Sequence, residues 1–124
     1  MNILPSINEA ESMEQVLDQL AKHPNLSLLP VVDSAGQPRG LIRETDLKTI
    51  VYSRFGHALL TNRALGNPID RFIRKCPIAD INSTVEDILD IFARAENSDG
   101  ILIVDEFRYA GFLSTPALLH LVHE

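Results

Sequence analysis

The chain has 124 residues, 45% of them hydrophobic, and a formal net charge of −6 from 17 acidic and 11 basic residues. The acidic balance argues against nucleic acid as the main partner, because phosphate backbones select basic stripes. No apolar run approaches the ~20 residues of a membrane span, and the single cysteine, Cys76, fits a reducing compartment such as the cytoplasm.

In chain order, Met1–Pro5 has neither the basic region nor the long apolar core of a secretory signal. Ile3–Glu11 is a lead-in expected to contain a short strand. Ser12 and Gln15 read as a capping box, and Met13, Val16, Leu17 and Leu20 share one face of the helix that follows. That helix should stop near His23, because Pro24 disfavours helical geometry just before it. Strands are expected over Ser27–Val32 and Arg39–Ile42, joined by the polar turn 34–38. A helix from about Thr45 to Ser53 ends ahead of Gly56, and His57–Gly66 is a connector with an apolar patch. Asn67-Pro68 signals a helix start, with Ile69, Phe72 and Ile73 apolar; Arg71, Arg74 and Lys75 read as its solvated face. Thr84 then leads a helix burying Val85, Ile88, Leu89 and Phe92. Strands Ile101–Val104 and Arg108–Leu113 follow, and Thr115-Pro116 opens a last helix that is apolar over much of its surface.

The second half repeats the first. Val32-Asp33 corresponds to Val104-Asp105, and Gly40-Leu41-Ile42 to Gly111-Phe112-Leu113. Upstream, Pro5 matches Pro77, Ser12 matches Thr84, and Glu14, Leu17 and Asp18 match Glu86, Leu89 and Asp90. One repeat therefore covers nearly the whole chain, with units at 1–62 and 63–124. Each half is small for a closed core, and two such halves can bury one another.

An apolar strand, a turn, Gly-hydrophobic-hydrophobic and a helix carrying Ser/Thr-x-x-Asp, given twice, resembles a tandem pair of cystathionine-β-synthase (CBS) domains. The stretch Leu41–Leu59 is similar to CBS pairs attached to bacterial signalling proteins such as diguanylate cyclases. The resemblance implies an α+β fold: two β-α-β-β-α repeats packed about a pseudo-twofold axis, commonly associating as a homodimer. It also implies a regulatory module that binds an adenosine-containing ligand (AMP, ADP, ATP or S-adenosylmethionine) between the repeats and signals to a fused or separate effector. The alternative is a degenerate pair acting only in dimerisation or docking.

In such pairs the Asp of Ser/Thr-x-x-Asp holds ribose hydroxyls, and the Ser/Thr meets phosphate. Carried onto this chain, the first motif has Arg43 at the Ser/Thr position and keeps Asp46; the second keeps Ser114 and has Ala117 at the Asp position. A carboxylate accepts from two vicinal hydroxyls, and a guanidinium pairs with phosphate. The favoured site is therefore Arg43 and Asp46, walled by Leu29, Pro30 and Val31. Ile7 and Glu9 are expected to add backbone contacts, and Arg54 and His57 phosphate contacts from the connector. A local reading stands beside this one: Asp46 suits the first turn of a helix, Arg43 can pair with Glu44 or Asp46, and Ser114 can cap a helix.

No Gly-x-Ser-x-Gly, P-loop, His-Glu-x-x-His or Cys-x-x-Cys is present. Cys76 stands alone, and His23, His120 and His123 have ordinary helix-end readings. The chain is read as a non-catalytic module with no cofactor and no metal.

Overall fold

Each half of the chain builds a three-stranded sheet, and the strand order is the same in both. In the computed structural model, which describes residues 3–47, 68–95 and 98–122, β1 (Ile7–Asn8) lies parallel to β2 (Leu28–Val32), which is antiparallel to β3 (Pro38–Arg43). A parallel neighbour needs a crossover, and α1 (Met13–Lys22) supplies it. The second sheet sets β4 (Ile78–Asp80) parallel to β5 (Gly100–Asp105), with β6 (Arg108–Ser114) antiparallel beyond it. Here α2 (Val85–Arg94) is the crossover, and α3 (Thr115–Val122) follows β6. The corresponding helix of the first unit begins at 44–47. The order β-α-β-β-α is thus met twice, as the resemblance implies.

The helix starts follow the chemistry expected of them. Ser12 Oγ accepts from the Gln15 N–H at 3.3 Å, and the Ser12 N–H donates to Gln15 Oε1 at 2.8 Å, closing the capping box. Thr84 Oγ1 accepts from the Asp87 N–H at 3.1 Å. The last helix is capped by Ser114, whose Oγ accepts from the Ala117 N–H at 3.3 Å, and Thr115 is its first helical residue. Val85 is also a correction. At the first position of α2 it stays exposed, and Ile88 is the buried residue of that helix.

Three apolar clusters follow from the two periodicities. In β2, Leu29 and Val31 point at α1 and join Ile7, Met13, Val16, Ile42, Leu47 and Ile69. In the second unit Ala79, Ile88, Ile101, Ile103 and Leu118 do the same. The opposite sheet faces meet through Leu28, Leu41, Leu102 and Phe112, with Leu4, Cys76 and Tyr109 packed around them. Fully burying a Leu or Phe side chain contributes roughly 1.5–3 kcal/mol over leaving it exposed, so the halves share a core neither has alone.

The segment between the repeats departs from expectation. Pro68–Phe72 is a 3-10 turn rather than an α-helix, and Ile69 anchors it in the first unit's core. Arg74 is not on a helix face. It pairs as an antiparallel bridge with Leu41 of β3, with N–H···O distances of 2.9 and 2.7 Å. The boundary at 62/63, the connector and most of the helix expected over 45–53 lie outside the described residues.

Candidate functional site

At the end of β3 the chain turns directly into a helix. The Glu44 N–H donates to the Ser27 carbonyl at 2.8 Å, and buried Ile42 and Leu47 hold the corner from both sides. Residues three apart on a helix are neighbours. Arg43 therefore meets Asp46, with Nε and Nη2 each 3.3 Å from a carboxylate oxygen. The equivalent corner in the second unit ties the Thr115 N–H to the Asp99 carbonyl at 3.1 Å.

A second guanidinium reaches the same carboxylate. Arg74 Nε lies 2.6 Å from Asp46 Oδ2, and Nη2 lies 2.9 Å from Oδ1. Gly40 makes this approach feasible: a Cβ there would sit 2.2 Å from the Arg74 carbonyl oxygen. The Asp46 side chain is 18% exposed, that of Arg43 27% and that of Arg74 53%. Arg43 also faces Asp99 at 3.7 Å, across the boundary between the repeats.

These pairs set the local electrostatics. Hydrogen bonds from Arg74 hold the Asp46 carboxyl below its ordinary value; partial burial opposes them, and Arg43 adds to them. The Asp46 carboxylate in turn raises Arg74. Nearby, burial pushes the Cys76 thiol up to about 11, and its Sγ lies 3.4 Å from the Gly100 carbonyl.

Beside Asp46 a groove of about 370 Å³ is lined by Thr45, Asp46, Arg71, Phe72 and Arg74. That is near the lower end of the roughly 300–1,000 Å³ typical of small-molecule sites. Its groups are two guanidiniums, one carboxylate, one hydroxyl and one aromatic ring. Chemically these suit an anion, a hydroxyl donor and a flat ring.

The expected site residues are dispersed. Arg43 and Asp46 are together. Ile7, Leu29 and Val31 are closed into the first unit's core, and buried Pro30 alternates onto the opposite face of β2. Glu9 pairs with Arg39 at 3.0 Å, and Ser114 is engaged in capping α3. Arg54 and His57 lie outside the described residues. Arg71, Phe72, Arg74 and Asp99 are the residues that sequence reasoning missed. The Arg74 contact spans 28 positions and follows no spacing rule. Among the described residues no group of three His, Cys, Asp or Glu is placed to hold a metal. None of the helices there is long and apolar enough to cross a membrane.

The doubled β-α-β-β-α architecture is that of a duplicated α+β unit, and comparison with known proteins relates it to a described domain family. The CBS domain family model matches residues 2–53, and the chain shares the fold of solved CBS-domain structures. Comparison with curated protein sequences returns no match. Among solved structures, the chain is similar to a CBS domain-containing protein of unknown function from Kribbella flavida DSM 17836, at 16% identity, covering 99% of this chain and 94% of that one, with a TM-score of 0.75. It is similar to the CBS domain of the bacterial CNNM/CorC family Mg2+ transporter in complex with ATP, at 18% identity, covering 97% and 79%, with a TM-score of 0.73. It is also similar to CBSX2 in complex with AMP, at 16% identity, covering 97% and 87%, with a TM-score of 0.66. At these identities the likeness shows the fold.

Proposed function

We propose that this CBS pair is a regulatory module that binds an adenosine-containing nucleotide in the groove beside Asp46 and signals its occupancy, as a homodimer, to a fused or separate effector. The observation that carries this reading is the placing of one carboxylate, Asp46, among three arginines, Arg43, Arg71 and Arg74, with Phe72 at the same groove. Guanidiniums suit phosphate oxygens, the carboxylate suits the ribose diol, and Phe72 offers a surface for the base. The nucleotides in complex with two proteins of similar fold support the ligand class. Coupling requires the ligand to favour one arrangement of the repeats over another. Arg43 supplies a route, since it joins Asp46 to Asp99 of the other repeat.

A second reading, a docking module without a ligand, is favoured by one specific feature: Asp46 already has two guanidinium partners and Ser114 is committed to a cap. A thermal-shift panel of AMP, ADP, ATP, S-adenosylmethionine and NAD separates the two. A ligand at about 100 times its dissociation constant adds roughly 2.7 kcal/mol to the folded state. The regulatory reading expects a shift of several degrees with an adenosine nucleotide, lost in a folded Arg43→Ala/Asp46→Ala variant. A flat response across the panel overturns it.

A further inference from the structure

We propose that Arg74 makes occupancy of the groove depend on a phosphate group, by moving its guanidinium from Asp46 to the phosphate of the incoming nucleotide. This rests on the nucleotide reading above and adds the residue that decides which adenosine compounds are accepted.

The argument begins with valence. A carboxylate offers about four acceptor sites. Asp46 Oδ1 accepts from Nη2 of both Arg43 and Arg74, and Oδ2 from Nε of both. A ribose diol approaching Asp46 therefore has to displace one guanidinium. The two are not equivalent. Arg43 is the less exposed and is also drawn towards Asp99. Arg74 lines the groove itself, and about half of its side chain is in solvent. Its backbone is fixed by the bridge to Leu41, so release involves the side chain alone. Arg43 then remains as the counter-charge of Asp46, and the carboxylate is never left without a cation.

Ligands differ in what they offer the displaced arginine. Adenosine can take the Asp46 oxygens only by sending Arg74 into water, which forfeits a short bidentate charged pair. Arg71 and Arg74 line the same groove, so a nucleotide whose phosphate meets that wall lets the guanidinium exchange one oxyanion partner for another. Arg74 thus opposes a neutral nucleoside and tolerates a phosphorylated one.

The test is isothermal titration of adenosine and of AMP into the wild-type chain and into Arg74→Ala, which removes the guanidinium and keeps the backbone bridge. If the Arg74–Asp46 pair is closed in about nine molecules of ten, removing it tightens adenosine binding about tenfold. AMP gains nothing comparable, because it loses its phosphate partner in the same step. The expected result is a preference for AMP over adenosine in the wild type that falls by about tenfold in the variant. An unchanged preference, with AMP still bound, overturns the exchange and leaves the nucleotide reading standing. If neither protein binds adenosine or AMP and the nucleotide panel above is also flat, both are overturned. Should Arg74→Ala fail to fold, Arg74→Gln, which keeps the length and loses the charge, carries the same comparison.

Discussion

Gly40→Ala tests the geometry on which the site depends. Gly40 has φ +149°, and a Cβ built there meets the Arg74 carbonyl oxygen at 2.2 Å and Ile73 Cγ2 at 3.0 Å. The first contact is with backbone, so relief requires β3 and the Arg74 strand to separate by about 1 Å, judged against ordinary non-bonded contact distances. Separation breaks the two Leu41–Arg74 hydrogen bonds at 2.9 and 2.7 Å, each contributing about 1 kcal/mol net. Left-handed backbone on a residue with a Cβ adds roughly 1–3 kcal/mol. The sum is a loss of about 3–5 kcal/mol. Gly36→Ala is the control. It also has positive φ, +83°, but its Cβ would meet nothing nearer than Arg108 Cγ at 3.6 Å, so only the conformational cost of about 1 kcal/mol applies. With a urea slope of about 1–3 kcal/mol/M, Gly40→Ala lowers the unfolding midpoint by more than about 1 M, and Gly36→Ala by about half that or less. Equal midpoints for the two variants would refute the close-approach argument. Because the bridge positions Arg74, Gly40→Ala should also loosen the Arg74–Asp46 pair.

Three further outcomes follow from single groups. The Asp46 carboxyl titrates below its ordinary 3.8 in the folded chain, so its stabilisation is complete above that value and is lost as pH falls through the lower folded one. The stability gap between wild type and Asp46→Asn, followed by urea unfolding from pH 7 downwards, should be constant to about pH 4 and shrink below it; a gap that does not shrink as pH falls below about 4 contradicts the pairing. Cys76, with its thiol pushed up to about 11, should react slowly with a disulfide reagent at about pH 8 in the native chain and much faster in urea; matching rates would place it at the surface. Tyr109 Oη accepts from the Leu4 N–H and donates to the Leu4 carbonyl, both at 2.9 Å, tying the lead-in to the second hairpin. Tyr109→Phe should cost about 1–3 kcal/mol, read as a lower melting temperature, and an unchanged melt would mean that water replaces both bonds freely.

What could be read from the residues was whatever local rules govern. The caps at Ser12 and Thr84, the buried stripe of α1 and both hairpins depend on neighbours within a turn or a pleat, and these formed as expected. The Arg43–Asp46 pair was legible for the same reason, being one helical turn apart. Leu29, Pro30 and Val31 show a local rule set aside. A strand alternates its side chains, so the three cannot form one wall, and the sheet puts Leu29 and Val31 into the core. Arg74 was out of reach of any such rule. Its place follows from where the chain runs after the 3-10 turn, with Ile69 drawn into the first core and the backbone laid beside Gly40.

The glycine of the Gly-hydrophobic-hydrophobic motif was visible in the sequence, but its purpose was not, because that purpose is the strand passing over it. This also explains why the two halves, alike in fold, differ in chemistry. Both corners hold the first helical N–H on the carbonyl that precedes the strand, Glu44 on Ser27 and Thr115 on Asp99. At the first, Arg43 and Asp46 form a charged pair that a third residue, Arg74, completes. At the second the corresponding positions are Ser114 and Ala117, which make a helix cap and no charge. The position one repeat before Arg74 is Asn2, without a guanidinium. The two halves therefore share the scaffold, and differences at three positions leave the arginine–carboxylate cluster at the first corner.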